Sequence, residues 1–152
     1  MNLDFRLQIL DFRVMTINEI QDEIIEEFSS FDEWLDRYQL LIDYSKELPA
    51  FKEEDRTAQN LIDGCQSQVW FTAELRDGKV IFTGDSDAIL VRGIVALLIR
   101  VLSDHTPQEI AEADLYFIDE IELREHLSPT RSNGLAAMLK QMKLYAIALS
   151  TQ

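Results

Sequence analysis

Cysteine is scarce in this chain. Its 152 residues include one, Cys65, so no disulfide can close within it. Long apolar runs are missing as well: the most apolar stretch, Ala88 to Leu102, is interrupted by Arg92 and falls short of the about 20 residues that a bilayer span needs. At the start, Met1 to Val14 scatter Asp4, Arg6, Asp11 and Arg13 among apolar residues, without the continuous apolar core of an export signal. One thiol and no such signal make a reducing cytoplasm the expected compartment. Basic residues are few, 14 Lys plus Arg against 28 Asp plus Glu, for a formal net charge of −14. That balance repels phosphate backbones and anionic lipid, which argues against nucleic-acid and membrane partners. It leaves two readings of the acidic surface: a field that steers a basic protein partner, or solvated faces that serve solubility. Histidine is limited to His105 and His126, which with a single thiol show no metal-ligand spacing.

What is present points to one globular domain. The length suffices for a core without staples, and a hydrophobic fraction of 47% is too high for disorder. Thr16 with Glu19 three residues on forms a capping-box pattern, followed by Ile20, Ile24, Ile25 and Phe28 on one helical stripe. Asp22, Glu23, Glu26 and Glu27 then face water. Because this helix start is so clean, residues 1–14 are read as an N-terminal extension and 15–152 as the domain. Ser30 and Glu33 repeat the capping pattern ahead of Phe31, Trp34, Leu35, Tyr38 and Ile42 at helical spacing, with the helix ending near Leu48 before Pro49. Phe51 to Thr57 is polar and reads as loop.

The period changes after that. Val69, Trp70, Phe71 and Thr72 are strand formers, Arg76-Asp77-Gly78-Lys79 supplies an Asp-Gly hairpin turn, and Val80 to Thr83 returns. Asn60 to Ile62 is expected to add a third short strand, placing Gly64 and Cys65 in the turn between two strands. Ser86 is expected to cap a central helix from Asp87 to about Leu102, apolar on nearly all sides. Thr106, Pro107 and Glu109 mark another helix start, and Ser128-Pro129 opens the last one, with Leu135, Met138, Leu139, Met142, Tyr145 and Leu149 as its stripe. The fold class is α+β: a small three-stranded, mostly antiparallel sheet packed by helices.

Cys65 has two readings, an inert core filler or a reactive group. Free cysteine packs as a small hydrophobe, yet here a glycine precedes it and the polar Gln66, Ser67 and Gln68 follow. A thiol with pKa near 8.5 is only a few per cent ionised at neutrality, so hydrolytic enzymes place a histidine beside it. Neither His105 nor His126 stands in a Cys-His hydrolase pattern, and each is read as a surface or interface residue. Asp63 adds like-charge repulsion if it acts at all, and Arg131 is the cation nominated as spatial neighbour. A peroxidatic role wants a resolving thiol that the chain lacks. What remains is a thiol that receives a group from a partner able to activate it. A Cys-His hydrolase or acyltransferase, and a non-catalytic adaptor with an incidental cysteine, stay open as alternatives.

The run Gly64-Cys65-Gln66-Ser67-Gln68-Val69-Trp70 resembles the signature of the SufE/CsdE family, the sulfur acceptors of cysteine desulfurases. Trp34-Leu35-Asp36-Arg37-Tyr38 with Leu48-Pro49, Gly84-Asp85-Ser86-Asp87-Ala88 leading to Gly93, and His126 through Leu135 are similar to three further blocks of that family. The resemblance spans about Asp32 to Leu149 in order, and residues 1–14 have no counterpart in it. It implies a fold like that of the IscU-type scaffolds. It also implies that a SufS/CsdA-like desulfurase, holding pyridoxal phosphate, passes persulfide sulfur to Cys65 and is stimulated by binding. Cys65 would deliver that sulfur to an iron–sulfur cluster scaffold, so no cofactor or metal is expected on this chain. Asp87 and Arg131 match family positions, where they either shape the Cys65 loop or touch the desulfurase. The alternatives are a helix-start acid for Asp87 and an ion pair for Arg131. Trp70 is read as core, and Gln66 and Ser67 as holding the turn through side-chain hydrogen bonds to backbone. Because a persulfide is easily reduced, Cys65 is expected to rest against apolar residues and move outward when a partner docks.

Overall fold

Thr16 starts the first helix as its side chain suggests. In the computed structural model, which describes residues 15–151, Thr16 Oγ1 accepts from the Glu19 amide at 3.1 Å and Glu19 Oε1 accepts from the Thr16 amide at 2.9 Å. Helix α1 then runs Ile17–Ser29 and buries Ile17, Ile20, Ile24 and Phe28. The extension proposed for residues 1–14 lies outside the described residues. The second capping pattern does not form. Ser30 closes α1, its hydroxyl bonded to the Glu26 carbonyl, and α2 (Trp34–Ser45) starts at Glu33 without a side-chain cap. Trp34 and Tyr38 of the expected stripe pack against the core, but the buried face of α2 is rotated from that stripe: Leu41, Tyr44 and Ser45 are buried while Leu35 is 81% exposed. The cause is the crossing of α2 over α3 (Ile89–Leu102). A methyl group on Gly93 would sit 2.2 Å from the Leu41 carbonyl oxygen, so the two backbones meet at Gly93 and fix which face of α2 looks inward.

The hairpin forms where the Asp-Gly pair lies. Strands β1 (Val69–Arg76) and β2 (Lys79–Ser86) pair antiparallel from Arg76 opposite Lys79 to Val69 opposite Ser86. Asp77 and Gly78 turn with φ of 53° and 79°, the mirror-image geometry that matches strand twist. Among the described residues the sheet has two strands, not three. Asn60 ends a 3₁₀ turn (Ala58–Asn60) and Gly64 turns the chain away at φ 89°, leaving one bridge, Leu61 to Trp70, where a strand was expected. The architecture is otherwise α+β as read, with helices packed on a small antiparallel sheet. Ser86 finishes β2 rather than capping α3, whose first flanking residue is Ala88.

Helix α3 is the central element, packed against α1, α2, β2 and the last helix. It buries Val91, Ile94, Val95, Leu97, Leu98, Val101 and Leu102. Two short helices follow, α4 (Pro107–Glu112), opened by the Thr106–Glu109 capping box, and α5 (Phe117–Glu120). Helix α6 (Pro129–Leu149) begins at Ser128, whose Oγ accepts from the Arg131 amide at 3.2 Å, and lies along α4 and β1. Gly134, Leu135, Met138, Met142 and Ala146 are its buried residues. His105 is not at the surface. It is 3% exposed, its Nε2 lies 2.7 Å from the Met15 carbonyl, and its backbone bridges to Val80, so it ties the start of α1 to the edge of β2. Among the described residues no helix is long and apolar enough to cross a membrane.

Candidate functional site

Two limbs carry the loop that holds Cys65. The incoming limb rises through the 3₁₀ turns Glu53–Asp55 and Ala58–Asn60 and is clipped to β1 where the Ile62 amide donates to the Val69 carbonyl at 2.8 Å. Ile62 itself is buried, but Asp63 and Gly64 are exposed, so the chain leaves the core just before the thiol. Gly64 makes the turn in a left-handed conformation that a side chain would strain. The outgoing limb is held at Gln68, whose carbonyl accepts from Ser86 Oγ at 2.8 Å and whose amide donates to Asp87 Oδ1 at 3.1 Å.

Between these clips Cys65 turns inward and is half-buried. Its Sγ donates to the Gly134 carbonyl across 3.6 Å, a weak bond that a sulfur donor allows. Beside it is a cleft of about 10 Å³ with Val91, Ile94 and Met138 as its apolar walls and Thr130 and Arg131 at its rim, space for little more than one water-sized group. Burial pushes the Cys65 thiol above its ordinary pKa, and no other influence opposes it; Asp63 adds nothing to the shift. At rest the sulfur is therefore a neutral thiol, poorly nucleophilic and screened from small reagents.

The residues expected around it take mixed places. Gln66 and Ser67 line the cleft, but among the described residues neither side chain makes a hydrogen bond; Gln66 is exposed, and the neighbouring Gln68 backbone carries the clips instead. Asp87 holds the Cys65 loop through Gln68. Arg131 sits at the rim of the cleft, exposed, and pairs with no carboxylate among the described residues. Trp70 is buried as expected. No histidine lines the cleft: His126 lies half-buried against the Trp34 ring, centroids 3.9 Å apart, and His105 is bound elsewhere. That removes the base a Cys-His hydrolase needs. No group of three or more His, Cys, Asp or Glu is placed to hold a metal among the described residues.

Three residues near the loop were not singled out from the sequence. Asp85, at the end of β2 and 8% exposed, accepts from Arg56 Nη2 at 2.6 Å and from Arg92 Nε at 2.8 Å. Arg56 lies in the segment read as plain loop, and its guanidinium covers the Trp70 ring at 4.9 Å. Burial alone would push the Asp85 carboxyl up. The hydrogen bond from Arg56, the Ser86 amide and the two guanidinium charges outweigh it and hold the group below the usual carboxylate range.

A family model, SufE, described as an Fe-S metabolism associated domain, matches residues 22–146, a span that holds the whole loop and cleft. The chain belongs to the SufE family. Relatives bear this out. A SufE-like protein of Synechocystis sp., recorded as uncharacterized, is 45% identical over 126 residues, covering 83% of this chain and 79% of its own. A second uncharacterized SufE-like protein, from Rhizobium meliloti, is 42% identical over 127 residues, covering 80% of this chain and 91% of its own. The solution structure of a hypothetical protein from Thermus thermophilus shares the fold, with a TM-score of 0.73 at 24% identity over 88% of this chain and 97% of that one. The matched SufE span opens inside α1 and closes inside α6.

Proposed function

We propose that this chain is the sulfur acceptor and activator of a SufS/CsdA-like cysteine desulfurase, with Cys65 as the accepting group, and that it hands the sulfur to an iron–sulfur cluster scaffold. The observation that carries the reading is the single thiol itself: half-buried on a two-limbed loop inside the SufE span, with no histidine or metal-ligand cluster beside it among the described residues to support unaided chemistry. The Cys65 thiolate attacks the outer sulfur of the desulfurase persulfide. A new Sγ–S bond forms as the donor's S–S bond breaks, and the electron pair leaves with the donor thiolate. The sulfur moves at its own oxidation level, so no external oxidant or reductant enters. Pyridoxal phosphate would supply its chemistry on the desulfurase, and a reducing cytoplasm suits a protein with one unpaired thiol.

The resting geometry fits that role. A neutral, half-covered sulfur is a poor target for stray electrophiles, and outward movement on docking would both expose it and restore an ordinary pKa. Gly64, Gln66 and Ser67 supply the turn and the cleft wall, Asp87 steadies the loop through Gln68, and Arg131, at the rim, would meet a partner or the departing negative charge. The test mixes the purified chain with a cysteine desulfurase, cysteine and pyridoxal phosphate. Mass spectrometry should find one added sulfur on the peptide containing Cys65, and Cys65→Ser should show none while keeping its fold. An unmodified Cys65 alongside active desulfurase would overturn the reading. Undiminished stimulation by Cys65→Ser would favour the adaptor alternative.

A further inference from the structure

The end of β2 does more than finish the sheet. Three consecutive residues there hold both limbs of the Cys65 loop: Ser86 and Asp87 grip the outgoing limb at Gln68, and Asp85 grips the incoming limb through Arg56. The two grips differ in kind. The outgoing one lies next to the strand and is backed by the Asp87 amide donating to the Gln68 carbonyl at 3.3 Å. The incoming one is a side-chain ion pair spanning 29 residues of sequence, between the last residue of strand β2 but one and a segment of short 3₁₀ turns with no buried side chain. Between Ile62 and β1 the limb is tied by the Leu61–Trp70 bridge, the Ile62 amide on the Val69 carbonyl and the burial of Ile62; further back, among the described residues, the Arg56–Asp85 pair and the seat of Arg56 on Trp70 and Phe51 are the side-chain contacts that keep it down. Asp85 is also fixed from behind by Arg92 on α3, one residue from Val91 in the wall of the thiol cleft. A single carboxylate therefore sets the incoming limb against the same helix that forms the wall beside Cys65.

We infer that the Arg56–Asp85 pair is a latch that sets how deeply Cys65 rests in its cleft, and that its release frees the loop while the rest of the domain stays folded. This rests on the acceptor reading only for its purpose, since a latch on the loop would regulate when the thiol can receive sulfur. Arg56 and Asp85 act through the loop and are positioning residues; neither touches the sulfur. The pair suits release. Arg56 is about a quarter exposed, its other hydrogen bond goes to the exposed Glu53, and the two 3₁₀ turns on either side of it bury no residue, Ile62 being the first of the limb to enter the core. A local opening of such a limb costs far less than unfolding the domain.

The chain's single thiol makes the test clean, because any alkylation is at Cys65. Iodoacetamide labelling would be followed at neutral pH in the full chain, in Arg56→Ala, Asp85→Asn, the double variant, Arg56→Lys and, as a remote control, Arg100→Met. The latch predicts labelling about tenfold faster in Arg56→Ala and in Asp85→Asn, no further gain in the double variant, and partial restoration by Arg56→Lys. It also predicts that the added labelling changes little with low urea, because a local opening exposes little surface, and that Arg100→Met stays near the unaltered rate. Labelling unchanged in a folded Arg56→Ala or Asp85→Asn would overturn the latch. So would acceleration that rises with urea as steeply as global unfolding, which marks mere loss of stability. Asp85→Asn keeps the side-chain shape and serves if Arg56→Ala does not fold. Sulfur transfer from a desulfurase, measured on the same proteins, separates the two ideas. Faster labelling with no sulfur gained on Cys65 in any protein leaves the latch and removes the acceptor role; sulfur gained with labelling unchanged does the reverse.

Discussion

Helix α3 carries two arginines eight residues apart, about 12 Å along its axis, and each sits in an ionic cluster of different consequence. At its far end Arg100 grips Glu27 through both terminal guanidinium nitrogens, at 3.0 and 2.6 Å, and reaches Glu23 at 2.8 Å, while Tyr44 donates to the same Glu27. The hydrogen bonds from Arg100 outweigh the burial of Glu27 and, with that of Tyr44, hold its carboxyl below the usual range. That cluster joins α1, α2 and α3, elements already welded by Ile24, Phe28, Leu41 and Leu98 in the core. At the near end Arg92 shares Asp85 with Arg56, and what Asp85 joins to the helix is a loop with hardly any core of its own. The chemistry is nearly the same; the attached structure is not. An ion pair on a welded frame adds stability, whereas one on a light loop decides a position. The lesson is that the energetic role of a salt bridge has to be read from what would move if it broke.

The sharpest way to break the contrast is to disturb the frame itself. Gly93→Ala places a methyl 2.2 Å from the Leu41 carbonyl, with backbone on both sides and nothing flexible to yield. The α2–α3 crossing must open, at a cost of about 3 kcal/mol or more. Chemical denaturation should show the loss, and both clusters should fail together because both hang on α3. A variant as stable as the parent would mean that the close crossing is wrong. Next in size is Arg100→Met, which leaves Glu27 without its guanidinium and should cost about 2 kcal/mol in urea melts. The contrast requires that this loss come with no change in Cys65 labelling. If labelling rose as well, the two ends of α3 would be coupled and the distinction between frame and loop would fall.

Which parts could be read in advance follows the range of the interactions. The Thr16–Glu19 and Thr106–Glu109 caps, the start of α6 at Ser128 and the Asp77-Gly78 turn each rest on residues within three or four positions, and each forms as written. Local pattern was still not sufficient. Ser30 and Glu33 carry the same capping letters, yet Ser30 is taken by the end of α1. The third strand failed because a 3₁₀ turn and Gly64 leave it one residue to pair. That Cys65 sits on a turn was legible from Gly64; that its sulfur points at Gly134 was not, since the two lie 69 positions apart. Arg56 and Asp85 are ordinary letters in a polar segment and at a strand end, and only the fold reveals them as partners.

The smallest expected effect is on the ionisation of Cys65, and it probes the same contrast from the chemical side. Burial alone raises the thiol's pKa, so whatever lifts the loop should lower it again. The labelling rate against pH should therefore rise with a midpoint above about 8.5 in the folded chain and return to about 8.5 in strong denaturant. The sign for stability follows: a proton held more tightly in the folded state contributes stability below the unfolded value, and this is lost as pH climbs through the folded one. Arg56→Ala should move the midpoint down toward the unfolded value, because a lifted loop gives the thiolate back to water. Arg100→Met should leave it where it is, since that arginine ties only the frame. A midpoint that shifts equally in both variants would show that the thiol senses the stability of the whole domain and not the position of its own loop.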